Sequence, residues 1–328
     1  MFSEAKFIQD AYEQLAAAGE STLCCSPLSL YTREQLATLP SEVLKLSSGC
    51  GHPVNDAHIL PGMTLIDIGS GAGADCMLAA QMVGPEGKIV GVDPSSSMRE
   101  VAYYYSQQAG LSWIDYVEGT SDAIPVSSDV ADVVISNCVL SLSTAAEETW
   151  KEIARVLKPG AHAVVSDIVG GYAGDDPLGA KTRCETGISW KDYQKILHDS
   201  GFAGISILRV KDVSFRDESI ACSVSFDARL SAGNASPRHR AVDIFYEPND
   251  QHRARMMADA LSCRVNISDA TMSLRLLDSS DPSNRDLYRF IFGDSSRGIS
   301  ISVDGRCLED NVALADPDEL FYCIFYTD

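Results

Sequence analysis

The chain has no apolar run approaching the roughly 20 residues a membrane-crossing helix requires. Its opening, MFSEAKFIQDAYEQLAAAGE, lacks the basic segment and apolar core of a secretion leader. Glu4, Asp10 and Glu13 interrupt it, and it reads as an amphipathic helix. Basic residues are scarce: 26 Lys and Arg stand against 46 Asp and Glu, a net charge of −20. That balance argues against a nucleic-acid or anionic-membrane partner. Ten cysteines contain no C-x-x-C pair, the spacing common in structural zinc sites. The expectation is a cytoplasmic protein in a reducing compartment, whose thiols serve as ligands, catalytic groups or core residues and not as a disulfide framework.

What is present falls into three zones. Residues 1–60 hold the helical start, Cys24 and Cys25, and the segment LPSEVLKLSSGCGHP. Residues 61–208 alternate strand and helix: MTLIDIGSG, ADCMLAAQMV, GKIVGVD, SMREVAYYYSQQAG, ADVVISN, AAEETWKEIARVL and GAHAVVSDI. This rhythm predicts an α/β fold, a doubly wound Rossmann-like domain with a mainly parallel sheet. From residue 209 to 328 the pattern shifts to DVSFRDESIACSVSFDARL, a polar linker, a short helical segment and further strands, which predicts a smaller α+β C-terminal domain.

After the first strand of the middle zone, Asp67 is followed by Gly69, Gly71 and Gly73. Alternate glycines let the backbone approach a ligand and open a helix whose N–H groups face it. The spacing is D-x-G-x-G-x-G and not the dinucleotide pattern G-x-G-x-x-G. It resembles the first motif of S-adenosylmethionine-dependent methyltransferases, whose cofactor has no pyrophosphate. Asp93 ends the next strand, where a carboxylate can accept both ribose hydroxyls, or can cap a helix. Met98 is placed to cover an adenine. Ser121 and Asp122 follow the third strand and are placed to read the adenine edge, or to form an ordinary turn. Asn137, at the tip of the fourth strand, completes the expected cofactor-binding set.

Three cysteines lie beside a glycine or at a strand end: Cys50 in SSGCGHP, Cys138 in ISNCVLSLS and Cys184 in TRCETGISWKDY. Cys76, Cys222, Cys263, Cys307 and Cys323 read as packing, since free cysteine is among the most buried residue types. Three converging thiolates suit a soft centre, and a trivalent metalloid with three bonds and a lone pair matches three sulfurs.

The chain resembles the arsenite S-adenosylmethionine methyltransferases through CC at 24–25, LPSEVLKLSSGCGHP, IDIGSGAGADC, VVISNCVLSLS, EIARVLKPG and CETGISWKDYQKILHDSGF. Its CETGISW segment aligns only with a one-residue slip. The resemblance implies that Cys50, Cys138 and Cys184 bind trivalent arsenic, and that Cys50 forms a redox disulfide with Cys24 or Cys25. It also implies that S-adenosylmethionine is the methyl donor, with thioredoxin or glutathione restoring the thiols. The nucleophile is then a lone pair carrying no proton, so no general base is needed and His52 reads as a loop residue. Two other readings remain open: methylation of a small organic thiol, amine or hydroxyl, and a non-catalytic metalloid-binding protein.

Overall fold

The computed structural model describes residues 31–143, 145–170, 190–212, 221–231, 239–246, 271–278, 281–292, 299–303 and 306–307, together with helical positions Gln251, Ala254, Arg255 and Ala258. Cys24, Cys25, Cys184, Cys263 and Cys323 lie outside the described residues.

Three short helices come first: α1 (Arg33–Thr38), α2 (Ser41–Leu46) and α3 (Pro53–Asp56). The alternation that follows is β1 (Thr64–Ile68), α4 (Ala74–Val83), β2 (Lys88–Asp93), α5 (Ser96–Gln108), β3 (Ile114–Glu118), β4 (Ala131–Asn137), α6 (Ala146–Val156), β5 (Leu157–Gly170), α7 (Trp190–Asp199), β6 (Phe202–Asp212) and β7 (Ala221–Leu230). The seven strands form one sheet in the order β3-β2-β1-β4-β5-β7-β6. β1 to β5 pair in parallel, and β7 inserts antiparallel between β5 and β6. This is the expected Rossmann-like sheet with helices on both faces. It continues to Leu230, past the boundary at 208, because the alternating segment around Cys222 pairs with β5 from His162 to Gly170.

The strands read as apolar runs because both faces are covered. Ile66, Ile68, Val134 and Val165 pack in one core layer, and Leu65, Ile89, Val133, Ile135 and Val164 in the other. α6 buries Trp150, Ile153 and Val156, a spacing that keeps one helix face inward.

A second sheet contains β8 (His239–Tyr246), β9 (Thr271–Asp278), β10 (Ile299–Val303) and β11 (Arg306–Cys307), in the order β11-β10-β8-β9. β8 and β9 are parallel, with the helical positions Gln251, Ala254, Arg255 and Ala258 between them in sequence. α8 (Pro282–Phe292) precedes the antiparallel pair β10 and β11. One parallel strand pair is thus followed by an antiparallel pair. Phe245, Leu287 and Tyr288 join the same apolar cluster as Trp150, Phe226 and Ile207, so the two sheets share a core. No helix among the described residues is long and apolar enough to cross a membrane.

Candidate functional site

β1 and β4 are neighbours, and the sheet continues through β2 and β3 on one side and β5 on the other. The connections leaving their C-terminal ends diverge there, which opens the crevice where ligands bind in this architecture. The glycine loop leaves β1, and Asn137 and Cys138 leave β4, so both candidate groups stand at this switch point.

In the loop, Gly71 has φ of +50°, and a side-chain carbon added there would meet nothing within 4 Å. The backbone therefore faces open space. The Gly71 N–H donates to Asp93 Oδ2 at 2.8 Å, and Ser95 N–H donates to Oδ1 at 2.9 Å. Ser95, and not Asp93, caps α5 by accepting from Met98 N. Ser70 Oγ is buried without a hydrogen-bond partner. An open glycine backbone at the start of α4, a strand-end carboxylate beside it and an orphaned hydroxyl fit S-adenosylmethionine. Met98 lies in the core beneath, the Ser121 hydroxyl meets Thr149 Oγ1 at 3.0 Å, and Asp122 is exposed. Asp67 is turned inward: its carboxylate accepts the Cys76 thiol at 3.2 Å. Burial, and the neighbouring Asp75, push its pKa well above the ordinary carboxylate range.

Cys138 takes a left-handed backbone, φ +58°, and its N–H donates to Ser166 O at 2.8 Å. The 3-10 turn after it, Leu140–Leu142, is pinned by Asp167, which accepts Ser141 N–H and Oγ–H at 2.6 Å each. Burial raises Asp167 to about 6, against these bonds. The Cys50 loop reaches the same point from the N-terminal segment. Ser223 Oγ donates to Cys50 O at 2.9 Å. Cys50 and Cys138, 88 residues apart, have Cα atoms 5.7 Å apart and are joined as a disulfide.

The disulfide among the described residues joins Cys50 to Cys138, while the expected pairing of Cys50 with Cys24 or Cys25 lies outside them. One expectation changes here. Asn137 has no capacity left for a cofactor. Its Oδ1 accepts from Cys50 N and Gly51 N, and its Nδ2 donates to Gly51 O and Asp75 Oδ2. An amide has two acceptor lone pairs and two N–H donors, and all are used. Tyr31, Asp75, Ser166, Ser223 and Asp167 are site residues the sequence reading missed. Asp75 alone left a signal: a carboxylate in the first turn of the otherwise apolar helix ADCMLAAQMV. Burial raises its pKa, opposed by Asn137, His52 and Tyr31.

A methyltransferase-domain model matches residues 59–201. An arsenite methyltransferase of Halobacterium salinarum is 29% identical over 255 residues, covering 70% of this chain and 63% of that protein. One from Aquipseudomonas alcaligenes is 28% identical over 229 residues, 64% of each chain. The crystal structure of an arsenic(III) S-adenosylmethionine methyltransferase from Chlamydomonas reinhardtii superposes with a TM-score of 0.55 at 26% identity, covering 65% of this chain and 79% of that one. The chain thus contains a methyltransferase domain and is similar to arsenite methyltransferases. It spans about 63–64% of the length of these two curated relatives.

Proposed function

We propose that the protein methylates trivalent arsenic, with Cys50, Cys138 and Cys184 as the thiolates that bind it and S-adenosylmethionine as methyl donor. The observation that carries this reading is the meeting of two thiols from remote segments at the switch point, beside the glycine loop.

The disulfide is the oxidised form of the site. A two-electron reduction by a thiol such as thioredoxin or glutathione frees both sulfurs, which then displace hydroxyl or thiol ligands from the arsenical. When bound, S-adenosylmethionine supplies an electrophilic sulfonium methyl. The chain's part is to hold the arsenic lone pair toward that methyl in a crevice walled by the Cys138 turn and the glycine loop, so positioning and exclusion of water supply the rate gain. Asp93 and the Gly71 backbone hold the donor. Transfer takes the lone pair into the new As–C bond, and arsenic becomes formally pentavalent. Two thiolates restore it: they form one S–S bond and release two electrons to arsenic. Cys50 is the common member of the pairs that can do so, with Cys138 or with Cys24 or Cys25.

The test is to incubate the protein with S-adenosylmethionine, a thiol reductant and either arsenite or methylarsenite, and to speciate the arsenic. Methylated product is expected. None from either substrate overturns the reading, and binding of the cofactor without turnover would favour a sequestering protein.

A further inference from the structure

The loop carrying Cys50 has no regular structure of its own, yet its hydrogen bonds leave it one place. Cys50 N–H and Gly51 N–H converge on Asn137 Oδ1 at 3.0 and 3.1 Å, and Gly51 O accepts from Nδ2 of the same amide at 3.0 Å. The remaining Nδ2 proton goes to Asp75 Oδ2 at 3.0 Å. Asp75 Oδ1 in turn accepts the Tyr31 hydroxyl at 3.0 Å, and both side chains are buried. The fit is close as well as polar. A side-chain carbon at Gly49 would lie 2.5 Å from Asn137 Nδ2, and one at Gly51 2.0 Å from Ser166 Oγ.

We infer that Asn137, oriented by Asp75 and Tyr31, is a positioning residue that holds Cys50 and Cys138 at one spacing and fastens both to the first turn of α4. Asn137 directly precedes Cys138, so one side chain joins the backbone at one thiol to the backbone at the other. Asp75 stands two residues beyond Gly73, so the same network ties the thiol pair to the cofactor loop. The chemistry requires an amide at 137 and a carboxylate at 75. Position 137 must accept two N–H groups and donate two protons, and position 75 must accept on both oxygens. This deepens the proposed function and rests on it for the meaning of the two thiols. The spacing itself sets the effective concentration of one sulfur at the other.

The experiment uses the full chain without arsenic. The protein is equilibrated in mixtures of reduced and oxidised dithiothreitol and alkylated, and the peptides carrying Cys50 and Cys138 are quantified by mass spectrometry. Each exchange breaks the Cys50–Cys138 bond, takes two electrons and two protons from dithiothreitol, and leaves its cyclic disulfide. Asn137→Asp keeps the acceptors but loses both donations and faces Asp75 with an oxygen. It is expected to weaken the protein disulfide about tenfold, about 30 mV for a two-electron couple. Adding Asp75→Asn exchanges donor and acceptor and restores the 137–75 link while still accepting Tyr31. The double variant is expected to recover part of the shift, to about three- to fivefold from the parent, because the donation to Gly51 O stays lost.

An equilibrium unmoved by Asn137→Asp overturns the positioning role, and a double variant as displaced as the single one overturns the part given to Asp75. Should Asn137→Asp fail to melt cooperatively, Tyr31→Phe reads the same equilibrium from the far end of the network: a smaller shift in the same direction supports the role, and none overturns it. Because the readout contains no arsenic, a parent that fails to methylate arsenite sinks the proposed function separately.

Discussion

Cys138 occupies a backbone conformation that costs a non-glycine residue about 1–2 kcal/mol. The cost is met by the Cys138 N–H bond to Ser166 and by the Asp167 clamp on the following turn. Replacing the thiol and keeping the turn should therefore leave the fold and remove the chemistry. Cys138→Ser is expected to retain its melting temperature under reducing conditions and to lose at least about 10²-fold in arsenite methylation, measured by product speciation. Asp167 carries a pH signature. Unfolded, it ionises near 3.8; folded, it holds its proton to about 6. Between those values the folded state binds the proton that the unfolded state has lost, so stability falls as pH rises. The total change is about 3 kcal/mol, complete above pH 6. Asp167→Asn should flatten this slope in denaturant titrations run across that window. An unchanged slope would assign it to other groups.

Two connecting elements, the glycine loop and the Cys138 turn, are built against each other. A side-chain carbon at Gly69, φ +71°, would lie 2.2 Å from Val139 Cγ2. Gly69→Ala is expected to cost about 1–3 kcal/mol of stability and to weaken cofactor binding in calorimetry. Val139→Ala should relieve the steric part and leave the backbone part. The elements that make this contact were legible: β1 and β4 as apolar runs, the loop as alternate glycines, Cys138 as a thiol at a strand tip. The contact was not, because it joins residues 70 positions apart and neither side chain is unusual. Asn137 illustrates the same limit. An asparagine at a strand tip suits a ligand contact as well as a loop tether, and its partners lie 86 and 87 residues away. The boundary at 208 failed for a related reason. Alternation reveals an antiparallel strand but not which sheet it joins.

At the scale of the whole molecule, the second sheet is packed into the first through Phe245, Leu287 and Tyr288. Phe245→Ala should cost about 3–5 kcal/mol and lower the melting of the cofactor-binding sheet with it, followed through Trp150 and Trp190 fluorescence. Two separate transitions would contradict the shared core. The bond between Cys50 and Cys138 bears on handling as well as chemistry. It closes a segment of 88 residues, and a cross-link of that span stabilises a folded chain by roughly 4–5 kcal/mol through lost unfolded-state entropy. Oxidised protein should therefore melt higher than reduced protein, while its sulfurs are closed to arsenic. A thermal screen of buffers would rank highest the preparation least able to take up its substrate.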